Sequence, residues 1–115
     1  MEANFEFKKL INDKGFYAGI SIDVSKTLEK GIKIVFEETS PWYPAMLFAA
    51  SYFYEQYKRT NSGGIKIEVI KLNTQTIDTN SIVVFYVFIR ALYTSLDFNG
   101  KEILIDDLGN LLIPK

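Results

Sequence analysis

The stretch Asn80-Ser81-Ile82-Val83-Val84-Phe85-Tyr86-Val87-Phe88-Ile89-Arg90-Ala91-Leu92-Tyr93-Thr94-Ser95-Leu96-Asp97 decides the fold. Its β-branched, aromatic first half has a strand as a rival reading. Length separates the two: the stretch is about three times a typical strand, and Arg90-Ala91-Leu92 favours helix. Asp78 or Thr79 is placed to cap it. The helix then carries Ile82, Phe85, Ile89, Leu92, Tyr93 and Leu96 on one face, and Val83, Val84, Val87 and Phe88 on another.

Working outward, Ile65, Ile67 and Val69 alternate with Lys66 and Glu68. Ile70-Lys71-Leu72 then shifts the phase by one, as a β-bulge or the end of pairing requires. Before this strand, Asn61-Ser62-Gly63-Gly64 stops a first helix, predicted over 41–60 and opened by Ser40-Pro41. Tyr43, Met46, Leu47, Ala50, Phe53, Tyr54 and Tyr57 recur along it at helical spacing. Nearer the start, Phe5 and Phe7 alternate with Glu6 and Lys8 up to the turn Asn12-Asp13-Lys14-Gly15. Phe16, Ala18, Ile20, Ile22 and Val24 mark a second strand paired back on the first, and Ile32, Ile34 and Phe36 a third. After the second helix, Asn99-Gly100 turns the chain into Ile103-Leu104-Ile105. Asp106-Asp107-Leu108-Gly109-Asn110 forms a hairpin tip before Leu111-Leu112-Ile113. No internal repeat or low-complexity tract stands out. The reading is one α+β domain over 1–115: a two-layer sandwich of a mostly antiparallel sheet with two helices packed on one face, in βββαβα order, plus a C-terminal β-hairpin.

Composition narrows the function. The 115 residues are 48% apolar and 23% charged, enough to fold around one core. With no histidine and no cysteine, Ser-His, Cys-His and thiolate or zinc mechanisms are gone. A net charge of −1 gives no global field for phosphate, so no DNA partner is expected. The longest apolar run, Ile82 to Ile89, is far short of the roughly 20 residues of a membrane span. The N-terminus lacks a signal-peptide core, and the absence of cysteine fits a cytoplasmic setting.

Gly19-Ile20-Ser21-Ile22-Asp23-Val24, Gly31-Ile32-Lys33-Ile34-Val35-Phe36-Glu37, Tyr43-Pro44-Ala45, Gly64-Ile65-Lys66-Ile67-Glu68-Val69 and Ile77-Asp78-Thr79-Asn80-Ser81 follow one another in an order that resembles domain IV of translation elongation factor G. The likeness runs from about residue 15 to 98, leaving 99–115 as the terminal hairpin, and lacks a GTPase body. It implies a four-stranded sheet backed by two helices, with a left-handed βαβ crossover against the usual hand. In that family two tip loops reach the decoding region, the second with a histidine. The matching positions, Asn12 to Gly15 and Leu72 to Thr76, hold none. No phosphate-binding glycine loop opens a helix, which sets aside a nucleotide site.

No catalytic, cofactor-binding or metal residue is singled out. Asp97, Glu102, Asp106 and Asp107 read as turn chemistry, and Glu37 and Glu38 point to opposite faces of a strand. What remains is a candidate interaction surface. Lys58, Arg59, Lys66 and Lys71 lie near Tyr52, Tyr54 and Tyr57, the combination that holds single-stranded RNA, although cations also suit a helix C-terminus. Trp42 stands at a helix entrance. Phe48 and Tyr52 on the first helix, with Val87 and Phe88 on the second, exceed the single stripe a helix needs. They face the terminal hairpin, the other helix or another chain. The expected function is a non-catalytic interaction domain with a protein partner or a second copy of itself. A ribosome- or RNA-associated factor is the alternative, and a carboxylate- or lysine-based enzyme the third.

Overall fold

The computed structural model describes residues 1–98, 103–106 and 109–112. Strand β1 (Glu2–Ile11) pairs antiparallel with β2 (Lys14–Thr27) through a two-residue turn. Asn12 and Asp13 both take positive φ, 51° and 64°. That is the conformation whose twist matches a hairpin, and Asn and Asp tolerate it better than most side chains. Strand β3 (Gly31–Val35) leads through α1 (Tyr43–Tyr57) to β4 (Gly64–Asn73), which lies parallel to β3 and antiparallel to β2. The sheet order is β1-β2-β4-β3. Helix α2 (Ser81–Ser95) follows, and then the hairpin β5 (Leu104–Ile105) and β6 (Leu111–Leu112).

The expected two-layer α+β architecture and element order are therefore present. The predicted phase shift in β4 is a bulge: Ser21 pairs with Lys71 but Ile22 with Val69, leaving Ile70 unpaired and half in solvent. Inward-facing Ile20, Ile22 and Val24 of β2 and Ile65, Ile67 and Val69 of β4 meet the helices as one core.

Local expectations at both helices are corrected. Asn80, not Asp78 or Thr79, caps α2, its Oδ1 accepting the Val83 N–H at 2.9 Å. Asp78 and Thr79 instead tie the preceding loop to β2: Tyr17 N–H donates to the Asp78 carbonyl, and Thr79 Oγ1 donates to the Tyr17 carbonyl while accepting from Gln75 N–H. The first helix is shorter than 41–60: it ends at Tyr57, and at its start Ser40 Oγ closes a turn on Trp42 N–H instead of capping. Pro44 lies within the first helical turn, where the missing N–H costs nothing.

Helix α2 is buried almost all round, from Val83 to Ile89 without a break. It packs on β1, β2 and α1. Tyr86 stands edge-on to Phe5 and Phe7, and the Arg90 guanidinium lies 5.1 Å from the Phe5 ring centroid. The terminal hairpin joins the core through buried Ile103 and half-buried Ile105 and Leu111. At its tip a Cβ on Gly109 would come within 2.7 Å of the Phe16 ring. Asp106 Oδ1 accepts the Asn110 N–H at 2.8 Å, the turn role expected of it. The neighbouring Asp107, together with Asn99, Gly100, Glu102, Leu108 and Ile113, lies outside the described residues.

Candidate functional site

One end of the sheet gathers the start of β3, the start of β4 and the end of β2, where Gly64 pairs with both Gly31 and Thr27. The helices finish at the same end. Gln56 Nε2 donates to Tyr93 Oη at 3.1 Å, and the Phe98 ring packs edge-on against Phe53 at 5.1 Å. The backbones meet so closely that a Cβ on Gly64 would collide with the carbonyls of Gly31 and Glu29. A Cβ on Gly63, at φ +76°, would likewise collide with the Thr27 carbonyl. A tyrosine bolts this corner: Gly31 N–H donates to Tyr54 Oη at 2.9 Å, and Tyr54 Oη donates to the Gly63 carbonyl at 3.0 Å. The rigid corner holds the side chains around it in register.

Three adjoining concavities open there. The largest, of about 530 Å³, is lined by Lys26, Arg59, Asn61 and Asp97 over Leu96 and Phe98. A second, of about 330 Å³, shares Arg59 and Asn61 and adds Lys30 and Lys58. A third, of about 390 Å³, shares Lys30 and adds Lys33, Lys66 and Glu29. Six cations thus border these hollows against two acids, Glu29 and Asp97, in a chain holding thirteen lysines and arginines in all. The C-terminal dipoles of α1 and α2 account for cations at Lys58 and Arg59. They do not account for the lysines of the strands and the β2–β3 loop.

Strands β3 and β4 open with the same four residues, Gly31-Ile32-Lys33-Ile34 and Gly64-Ile65-Lys66-Ile67, and the copies pair in parallel, like with like. Each isoleucine meets its counterpart on the helix side. Lys33 therefore sits directly beside Lys66, both exposed on the open face, with Ser25 of β2 completing the row. Like charges so placed destabilise a sheet. Among the described residues the ion pairs are Met1 N to Asp23 and Lys58 to Glu55, so neither of these lysines is neutralised that way.

The expected surface residues divide. Lys58, Arg59 and Lys66 come together here, whereas Lys71 lies beyond the β4 bulge, opposite Ser21. Trp42 is half-buried at the N-cap of α1. Phe48 is 60% exposed and packs on Phe85 at 5.2 Å, with half-buried Tyr52 tilted against the same ring. Val87 and Phe88 are corrected: both are fully buried, because α1 and the sheet enclose α2 from several sides, and they form core. Of the tyrosines near the cations, Tyr57 is buried, whereas half-buried Tyr54 lines the hollow of Lys30, Lys58 and Arg59 with its hydroxyl spent on the corner. Sequence reading passed over Lys26, Lys30 and Lys33. The repeated Gly-Ile-Lys-Ile was the available signal for Lys33.

Among the described residues no group of three or more acidic side chains could hold a metal ion, and no helix is long and apolar enough to cross a membrane. Three tyrosines have their hydroxyl pKa raised: Tyr57 and Tyr93 chiefly by burial, and Tyr17 by desolvation followed by the neighbouring Glu6 carboxylate.

No family model matches the chain, and no curated protein matches it. Among solved structures it is similar to a protein from Thermus thermophilus, with a TM-score of 0.66 at 13% sequence identity. The match covers 81% of this chain and 15% of that one, so the chain spans a small part of the longer protein's length. At this identity the likeness is one of fold.

Proposed function

We propose that this chain is a non-catalytic interaction domain that holds an anionic partner at the end of the sheet where β3 and β4 begin. The observation carrying the reading is the convergence of Lys26, Lys30, Lys33, Lys58, Arg59 and Lys66 around three joined hollows in a protein of net charge −1. Concentrating one sign of charge in concave surface focuses the field toward an opposite charge. The chain's lack of histidine and cysteine fits a binding role, and its lack of cysteine fits a cytoplasmic one. The order of three strands, helix, strand and helix supports keeping the resemblance to domain IV of elongation factor G.

Retention on immobilised heparin tests the reading, since a protein of this net charge is held only if its cations are clustered. The wild type is retained, and the Lys30→Glu, Arg59→Glu pair elutes in the void. Equal elution of the two proteins refutes the assignment. Association with ribosomal RNA is the second reading, favoured by the density of cations. Its mark is a shift with ribosomal subunits that weakens steeply as salt rises.

A further inference from the structure

We propose that the outer edge of β3 is a docking site for an extended acidic peptide, which adds a fifth strand beside it. The inference rests on the reading of this end as the surface for an anionic partner, and it specifies the partner's chemistry and pose.

Strand β3 is an edge strand whose sheet neighbour is β4. Among the described residues, no backbone group outside the sheet bonds to Ile32, Lys33, Ile34 or Val35. None of the five residues of β3 is buried, although Ile65 and Ile67, paired with Ile32 and Ile34, are fully so. One row of main-chain donors and acceptors therefore faces outward, the arrangement that receives an added strand.

Charge chooses the guest. Across the open face the row runs Ser25, Lys66, Lys33 and then stops at the edge. A strand added beside β3 places its own side chain next in that row, about 5 Å from Lys33 between Cβ atoms. A carboxylate there offsets the repulsion between the two lysines. Lys30, at the head of β3 in the same hollow, stands ready for a second acid. The other edge, β1, is open too, but its open-face residues mix Glu2 and Glu6 with Lys8, so it selects no sign of charge. The row Ser25, Lys66 and Lys33 holds no aromatic side chain itself, although half-buried Tyr54 and Phe98 line the adjoining hollows, so the row offers charge without a stacking ring of its own.

Amide hydrogen exchange read by NMR tests this, with an acetylated Thr-Glu-Val-Glu-Val-Thr peptide and its Lys-for-Glu counterpart as probes. The acidic peptide slows exchange at β3 amides by about tenfold or more, and the basic one leaves it unchanged. Lys33→Glu, checked for native fold by circular dichroism, reverses the preference. Perturbation of Lys33 and Lys66 without protection of β3 amides overturns the proposal. So does tight binding of a short RNA duplex that Lys33→Glu weakens, which reassigns the lysines to phosphate. If neither peptide binds while heparin retention persists, the strand-addition proposal fails and the anionic-partner reading stands. Loss of both removes both.

Discussion

Tyr54 on α1 accepts the Gly31 N–H at 2.9 Å, so a helix side chain satisfies the first amide of an edge strand. The same hydroxyl reaches the Gly63 carbonyl, joining α1, β3 and the start of β4 through one oxygen. Tyr54→Phe keeps the ring and strips both partners of their bond. The expected loss is about 1–3 kcal/mol in urea denaturation, since a part-buried amide is left unpaired. A change near zero would show that water replaces the hydroxyl and that the corner is not held by it.

Phe48 and Phe88 come from equally apolar helices and differ in place. Phe88 is fully buried and Phe48 is 60% exposed. Phe88→Ala is expected to cost about 3–5 kcal/mol through the cavity it opens. Phe48→Ala costs about 1 kcal/mol, the scale of its ring contact with Phe85. Equal losses in thermal or chemical unfolding would contradict the burial of α2.

The cap of α2 gives a sharper pair. Asn80→Ala removes the acceptor for Val83 N–H and is expected to cost about 1 kcal/mol. Asp78→Ala, where the bond to Tyr17 comes from the backbone carbonyl, changes stability by less than about 0.5 kcal/mol. Reversal of that order in denaturant midpoints would move the cap back to Asp78.

The Lys33 and Lys66 pair predicts a stabilising mutation. Lys33→Gln relieves the like-charge contact and is expected to raise stability by about 0.2–1 kcal/mol at low salt, while weakening heparin retention. A variant that loses stability would mean that Lys33 has a favourable partner in the folded protein.

Alkaline titration follows from the tyrosines. Tyr57 and Tyr93 are raised from their ordinary value of 10.0 mainly by burial, so the folded state favours the neutral hydroxyl. The unfolded chain loses these protons first as pH rises. Their contribution is therefore fully present below the unfolded value and declines as pH climbs from there through the higher folded values. Unfolding free energy should fall above that value, with tyrosinate absorbance lagging behind that of Tyr in a denatured control. Coincident titration curves would refute the shift.

Much of the fold was legible because its signals are local. Alternation in Phe16 to Val24 and the shift at Ile70 needed nothing beyond neighbouring residues, and each marks a strand or bulge where expected. The cap of α2 was missed because Asp78, Thr79 and Asn80 are all competent caps. The choice fell to Asn80 because the Asp78 backbone and the Thr79 hydroxyl are tied to Tyr17, which keeps both residues in the loop ahead of the helix.

By itself the sequence determined the element types, their order and the two-layer α+β class, since side-chain period and turn chemistry act over a few residues. Tertiary structure alone decided what the apolar surplus of α2 is for. Val87 and Phe88 become core only because α1 and the sheet close around them, a matter of distant chain segments meeting. It also decided that two copies of Gly-Ile-Lys-Ile lie side by side. Register is a property of paired strands, and only that pairing places Lys33 against Lys66 and gathers the charge on one end of a nearly neutral protein.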